Sequence, residues 1–175
     1  NEEMVGPAIG KELKNDALTA ILLSLLIIIF YIWMRFGRNG LGFGLASVVA
    51  LSHDVIITLG IFALLEFKVD ATTIAAVLTI VGYSLNDTIV VFDRVRENTQ
   101  LLGKDSFDSR VNLSINQSLS RTLITSITTL FVVVVMALYG GPAVHQFAYA
   151  LIIGVGVGTY SSIFVASPFV VWWSK

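Results

Sequence analysis

Five long apolar stretches run along the chain, separated by short polar segments. Each approaches the roughly 20 apolar residues that a helix needs to cross a hydrocarbon core about 30 Å thick. The first covers residues 17–34, between Asp16 and Arg35. The second covers 41–65 and holds Ser52, His53 and Asp54 near its middle. The third covers 72–92, with Asn86 and Asp87 in its inward-leaning half, and the fourth 122–139. The fifth, 145–173, begins at His145 or Phe147 and is long enough to tilt or to include an interfacial turn. Between the third and fourth lies a polar stretch, 93–121, in which Phe107, Val111, Ile115 and Leu119 recur at helical spacing. That spacing predicts a short amphipathic helix lying on the membrane surface. The pattern as a whole predicts an all-α membrane protein, a bundle of five transmembrane helices with one short cytoplasmic amphipathic helix.

Composition agrees with lipid as the solvent. Of 175 residues, 55% are hydrophobic and 13% charged, against about 45–50% and about 25% in an ordinary soluble domain. There is no cysteine, which excludes disulfides, thiolate metal sites and thiol chemistry. A net charge of −1 without a basic run excludes a phosphate-neutralising surface, so no nucleic-acid partner is expected. The 11 basic residues divide unevenly between the two sides: Lys11, Lys14 and Lys68 fall on one, and the other eight, Arg35 to Lys175, on the opposite one. The richer side faces the cytoplasm, so the N-terminus is expected outside and the C-terminus inside. Residues 1–15 carry mixed charge and begin at Asn1 rather than Met. They read as an external segment at the cut edge of a longer polypeptide, whose first span has been left off.

Glycines punctuate the spans at four-residue intervals, Gly40 with Gly44 and Gly154 with Gly158. Small residues at this spacing let helices approach closely in lipid, where hydrophobicity gives no drive to associate. Tight packing is therefore expected of them.

The candidate chemistry lies in the intramembrane charges. A charged side chain at the bilayer centre costs roughly 2.5–3.5 kcal/mol on insertion scales, so it persists when it is paired, neutral or facing a cavity. Asp54 and Asp87 are in that position. On a helix, Tyr83, Asp87, Val90 and Arg94 share a stripe, with Asn86 beside Asp87. Desolvation disfavours the charged form of a carboxyl, which suits Asp87 either to a proton-carrying role or to that of a neutral packing group. Arg121 opens the fourth span among Ser118, Ser120, Thr122, Thr125 and Ser126. On its residues alone it reads as an arginine anchoring a helix end; its other reading is a switchable counter-ion. His53 and Asp54 fit a proton relay or a satisfied interhelical hydrogen bond. Asp93, Arg94, Arg96 and Glu97 read as a solvated helix end with local ion pairs. The stretch from Gly6 to Lys11 falls short of a phosphate loop, and two distant histidines make no zinc site. Nothing here points to an enzyme.

At these residues a resemblance becomes visible. The string GYSLNDTIVVFDRVREN at 82–98 resembles the signature of the SecF family, the smaller half of the SecDF protein-export component. Leu51-Ser52-His53-Asp54-Val55, Arg121-Thr122-Leu123-Ile124-Thr125-Ser126, Gly140-Gly141-Pro142 and the segment 156–163 agree with it. The resemblance implies spans two to six of a six-span half of the resistance-nodulation-division type. It implies use of the proton motive force in late stages of preprotein translocation across the cytoplasmic (inner) membrane of a prokaryote. It assigns the membrane carboxylate to Asp87 and the functional arginine to Arg121; the residues themselves offer Asn86, Ser84, Thr125, His53 and Asp54 as candidate polar neighbours, and Arg121 would bias Asp87 or a carboxylate of the partner half. SecD, separate or fused, SecYEG, SecA and the translocating preprotein are the implied partners besides membrane lipids, with YajC a further candidate. No cofactor is implied beyond a coupling ion, H⁺ or alternatively Na⁺. Two rival readings are an efflux transporter for small molecules or lipids within the same superfamily, and a structural scaffold.

Overall fold

In a water-soluble fold the polar side chains face outward, and here they face inward. Leu22, Leu26, Ile27, Phe30, Ile56, Phe131 and Val132 are all at least 59% exposed, whereas Ser47, Thr58, Ser84, Thr88 and Ser161 are buried. That inversion is what lipid as the surrounding solvent demands. The structure is a computed structural model and describes residues 7–37, 40–102 and 105–174. The first part of the expected external segment, the Gly6 end of the discarded phosphate-loop stretch, and the counted charges Arg38, Lys104 and Lys175 lie outside the described residues.

The order is α1 (Pro7–Phe36), α2 (Gly40–Leu64), α3 (Ala71–Leu101), α4 (Phe107–Tyr139) and α5 (Pro142–Ser161). A π-helical turn (Ser162–Ala166) then leads into α6 (Ser167–Trp173). Five helical stretches among the described residues are long and apolar enough to span a membrane, the last being Val144–Trp173 through the π turn. The chain is thus an all-α, multi-pass membrane protein.

Local chemistry explains where the helices begin. Asp70 caps α3: its Oδ1 accepts from the Thr73 backbone N–H at 2.9 Å and from the Thr73 hydroxyl at 3.1 Å, a reciprocal capping box. Ser106 caps α4 by accepting from the Ser109 N–H at 3.3 Å. The tight turn between α4 and α5 needs Gly141, whose φ is +73°, a region that L side chains rarely enter. Pro142 then sits at the first helical positions of α5, where its missing N–H costs nothing. Near the other end of that span, Pro168 cannot donate to residue 164 and its ring crowds that carbonyl. The π turn absorbs the defect, and the Ser167 hydroxyl donates to the Ser162 carbonyl at 3.0 Å.

One expectation is corrected. Among the described residues no separate helix lies between the third and fourth spans: residues 93–101 continue α3, and 107–121 are the first turns of α4. The helical period of the apolar stripe is as expected, but its partner is protein. Val111 is buried, with Phe107 and Ile115 packed beside it, and the Asn98 side chain of α3 donates to Ser114 at 2.8 Å and Gln117 at 2.9 Å on α4. The fifth span, expected to tilt or to include an interfacial turn, continues as one helical stretch through the π turn to Trp173.

The glycine pairs act at helix contacts as expected. A methyl on Gly40 would meet the Trp33 backbone of α1 at 2.7 Å, while one on Gly44 would make only ordinary contact with Ile29. Between α5 and α3, a methyl on Gly154 would strike Ile80, and one on Gly158 would meet the Ser84 Cβ at 3.0 Å. Two apolar clusters result, one around Phe36, Phe43, Phe92 and Val95 and the other around Phe62, Ile80, Ala148 and Leu151. Buried polar side chains of α2, α3, α4 and α5 lie between them.

Candidate functional site

Asp54 of α2 is 1% exposed and fully engaged. Its Oδ2 accepts from the Ser84 hydroxyl of α3 at 2.5 Å and from the Ser161 hydroxyl of α5 at 2.8 Å. Its Oδ1 lies 3.1 Å from His53 Nδ1. The His53 ring in turn stacks on Tyr160 of α5, centroids 6.4 Å apart. One carboxyl therefore ties three helices together, and Gly158 makes it possible by letting α5 approach Ser84.

Asp87, one turn along α3 from Ser84, is 3% exposed and turned toward α4. Its Oδ1 takes a long contact from the Thr125 hydroxyl at 3.5 Å, and the Ser126 hydroxyl interacts with the carboxyl to a lesser degree. The Thr125 hydroxyl is better placed on carbonyls of its own helix, Thr122 at 2.9 Å and Arg121 at 3.1 Å, so little is left for the carboxyl. Oδ2 is buried without any partner, as is the nearby Thr122 hydroxyl. Arg121 acts on Asp87 electrostatically, but among the described residues the two form no ion pair within 4.0 Å. Arg121 instead lines a cleft of about 420 Å³ between α3 and α4 with Asn86, Val90, Asp93, Arg94 and Ser118. On α3 this lining runs from Asn86 to Glu97, about 16 Å of helix. The cleft thus leads from the charged end of α3 to the residue next to Asp87.

A third group joins α3, α4 and α5. The Tyr83 hydroxyl donates to Ser126 Oγ at 3.3 Å, and Ser126 Oγ lies 2.6 Å from Thr159 Oγ1. Either hydroxyl of the last pair can donate, so hydrogens in this chain can be redistributed without moving a helix.

The structure brings Asp87 and Thr125 together, sets Arg121 and Asn86 along one cleft, and groups His53 with Asp54 in a second centre. Ser84, expected beside Asp87, belongs to Asp54. Ser161 and Thr159 were not singled out as polar neighbours. The signal available for them was a pair of hydroxyls in the small-residue stretch of the fifth span, which also has a simpler packing meaning. The charged end of α3 is only partly local: Arg94 pairs with Glu97 at 2.8 Å, but Asp93 pairs with Arg35 of α1 at 3.2 Å.

Comparison with known proteins bears on this arrangement. Residues 1–175 match the family described as "Protein export membrane protein SecD/SecF, C-terminal". Protein translocase subunit SecF of Desulfurispirillum indicum is 52% identical over 174 residues, covering 98% of this chain and 54% of that protein. The SecF of Rhodothermus marinus is 53% identical over 174 residues, with 96% and 56% covered. The chain thus spans about half the length of these relatives. The crystal structure of SecDF from Thermus thermophilus, described as a translocon-associated membrane protein, superposes with a TM-score of 0.89 at 49% identity. That match covers 97% of this chain and 23% of the SecDF chain.

Proposed function

Because this chain belongs to the SecD/SecF family of protein export membrane proteins and is similar to its SecF side, we propose that it is the membrane core of a SecF subunit that uses the proton motive force to drive late stages of preprotein translocation. Asp87 binds and releases the proton, and Arg121 biases it between its charged and neutral states. The observation that carries this reading is the unpartnered Asp87 Oδ2, buried between α3 and α4. An acceptor left bare in low dielectric costs on the order of 1–3 kcal/mol. Protonation removes that cost by discharging the group, and a nearby cation removes it by pairing. Two nearly balanced solutions are what a cycling carboxyl needs. The cleft lined by Asn86 and Arg121 supports a route for the proton from the charged end of α3. Moving one charge across the membrane field supplies about 2.3 kcal/mol per 100 mV, enough to shift a two-state helix arrangement about fiftyfold.

In this reading the membrane is the cytoplasmic membrane of a prokaryote. The outer side carries the α2–α3 and α4–α5 turns, and the end of α6 lies inside, as the basic-residue distribution indicates. SecD supplies the other half of the motor, with the SecYEG channel, SecA and YajC as neighbours and the preprotein as cargo. The relatives' names are those of a transport component and not of an enzyme.

The test is Asp87→Asn in the full-length protein assembled with SecD in sealed vesicles. The expected result is loss of both the proton current and the gradient-stimulated part of preprotein export, with the complex still assembled. Unchanged current together with wild-type export removes Asp87 from the mechanism. Failure of the variant to co-purify with SecD supports a scaffold instead. Driving export with a sodium gradient in the absence of a pH gradient would replace the proton by Na⁺ as the coupling ion.

A further inference from the structure

Away from the buried polar side chains, a cavity of about 950 Å³ opens at the end of the bundle where α1 and α3 finish and α2 and α4 begin. Among the described residues two arginines line it, Arg96 from α3 and Arg110 from α4, and no acidic side chain does. We propose that this cavity holds the phosphate headgroup of an anionic phospholipid.

The donors are only partly used. The Arg110 Nε is buried without a partner, and its Nη1 reaches only the Thr99 carbonyl at a long 3.4 Å. The Arg110 guanidinium is steadied over the Phe107 ring, 5.5 Å from the centroid. Arg96 spends Nη1 on the Arg35 carbonyl at 3.2 Å and lies 6.0 Å from the Phe36 centroid. A guanidinium offers five N–H donors in a planar fork that suits two oxygens of one phosphate. The carboxylates of Asp93 and Glu97 on α3 are already engaged by Arg35 and Arg94.

The rest of the cavity fits the glycerol and the first acyl carbons. Phe43 and Val170 form apolar wall. Trp173 rests on Gly42, where a methyl would meet the indole Cδ1 at 2.6 Å. The rim decides between a lipid and a free phosphate. Leu41 and Trp173 border the cavity and are 54% and 52% exposed, and tryptophans gather at the depth of lipid headgroups. A headgroup bound here can keep its chains in the bilayer. Basic pockets between transmembrane helices have this chemistry generally.

The experiment uses the full-length protein purified in detergent with equal phosphatidylglycerol and phosphatidylcholine, with retained lipid read by native mass spectrometry. Phosphatidylglycerol is expected to be kept selectively. Arg96→Gln and Arg110→Gln are each expected to lower its retention about fivefold, the effect of about 1 kcal/mol per basic residue. Arg94→Gln, on the separate cleft, should leave it unchanged, and so should millimolar inorganic phosphate. Should an arginine variant not fold, Gly42→Ala, which pushes Trp173 without changing a charge, must also reduce retention. Equal retention of both lipids, full retention in the Arg96→Gln, Arg110→Gln double variant, or no retained lipid because protein fills the cavity would each overturn the proposal. Displacement by inorganic phosphate would overturn the lipid as its source.

Discussion

Asp54 and Asp87 are both carboxyls set within spanning helices, both almost fully buried, and opposite in their surroundings. Asp54 receives hydroxyls from two neighbouring helices and faces an imidazole. Asp87 has a long contact to Thr125, a lesser interaction with Ser126 and an oxygen without a hydrogen-bond partner. The difference teaches what burial alone does not. A buried carboxyl whose acceptors are all met fixes the distance between helices, and its loss is a structural event. A carboxyl whose acceptors are unmet contributes little to holding the fold, and its persistence needs another reason.

The sharpest way to break that contrast is to remove each group in turn. Asp54→Ala leaves the Ser84 and Ser161 hydroxyls without their shared acceptor and should cost about 2 kcal/mol, read as a lower midpoint in thermal unfolding of the full-length protein in detergent. Equal destabilisation by Asp87→Ala would show that the two sites do the same job. Next in size, Gly158→Ala forces a methyl against the Ser84 Cβ and should cost about 1 kcal/mol; it should be additive with Asp87→Ala and less than additive with Asp54→Ala, by double-mutant cycle. Asp87→Asn keeps the shape of the side chain and should change stability by less than about 0.5 kcal/mol.

The smallest effect concerns a third carboxyl, outside the membrane. Burial pushes the Asp70 carboxyl up, but hydrogen bonds from Thr72 and Thr73 outweigh it and hold the group below its ordinary value of 3.8. A lowered folded value means that its contribution is fully present above pH 3.8 and is lost as pH falls through the lower value. Asp70→Asn should therefore flatten the acid end of the stability profile and leave neutral pH nearly unchanged, since asparagine also caps helices.

Much of the fold was legible because spanning helices announce themselves as apolar runs, and the 41–65 and 72–92 stretches lie close to α2 and α3. The extensions of α3 and α4 were not. Asn98, Ser114 and Gln117 look solvated in sequence, yet their mutual hydrogen bonds hold the extended ends of α3 and α4 against each other where a separate surface helix was expected. At the site, Asp87 stood out because a charge in an apolar run has no cheap explanation. The Ser161 donor is 107 residues from Asp54, and no local pattern links them. Ser84 was assigned to the wrong carboxyl for a related reason: spacing along α3 tells which residues are adjacent on the helix, not which neighbour each one faces.

The 31 residues of α3 make a rod about 46 Å long, well over the roughly 30 Å of hydrocarbon it crosses. Its protruding end is bolted to α4 through Asn98 and its middle carries Asp87. From Asp87 to Leu101 is about 21 Å, so a tilt of about 10° pivoting on the carboxyl would sweep the tip by about 4 Å. A sub-ångström adjustment around one proton would then arrive outside the bilayer as a displacement large enough for another protein to feel. In the proposed function the helix would act as a lever, with the carboxyl that carries an unpartnered oxygen as its fulcrum.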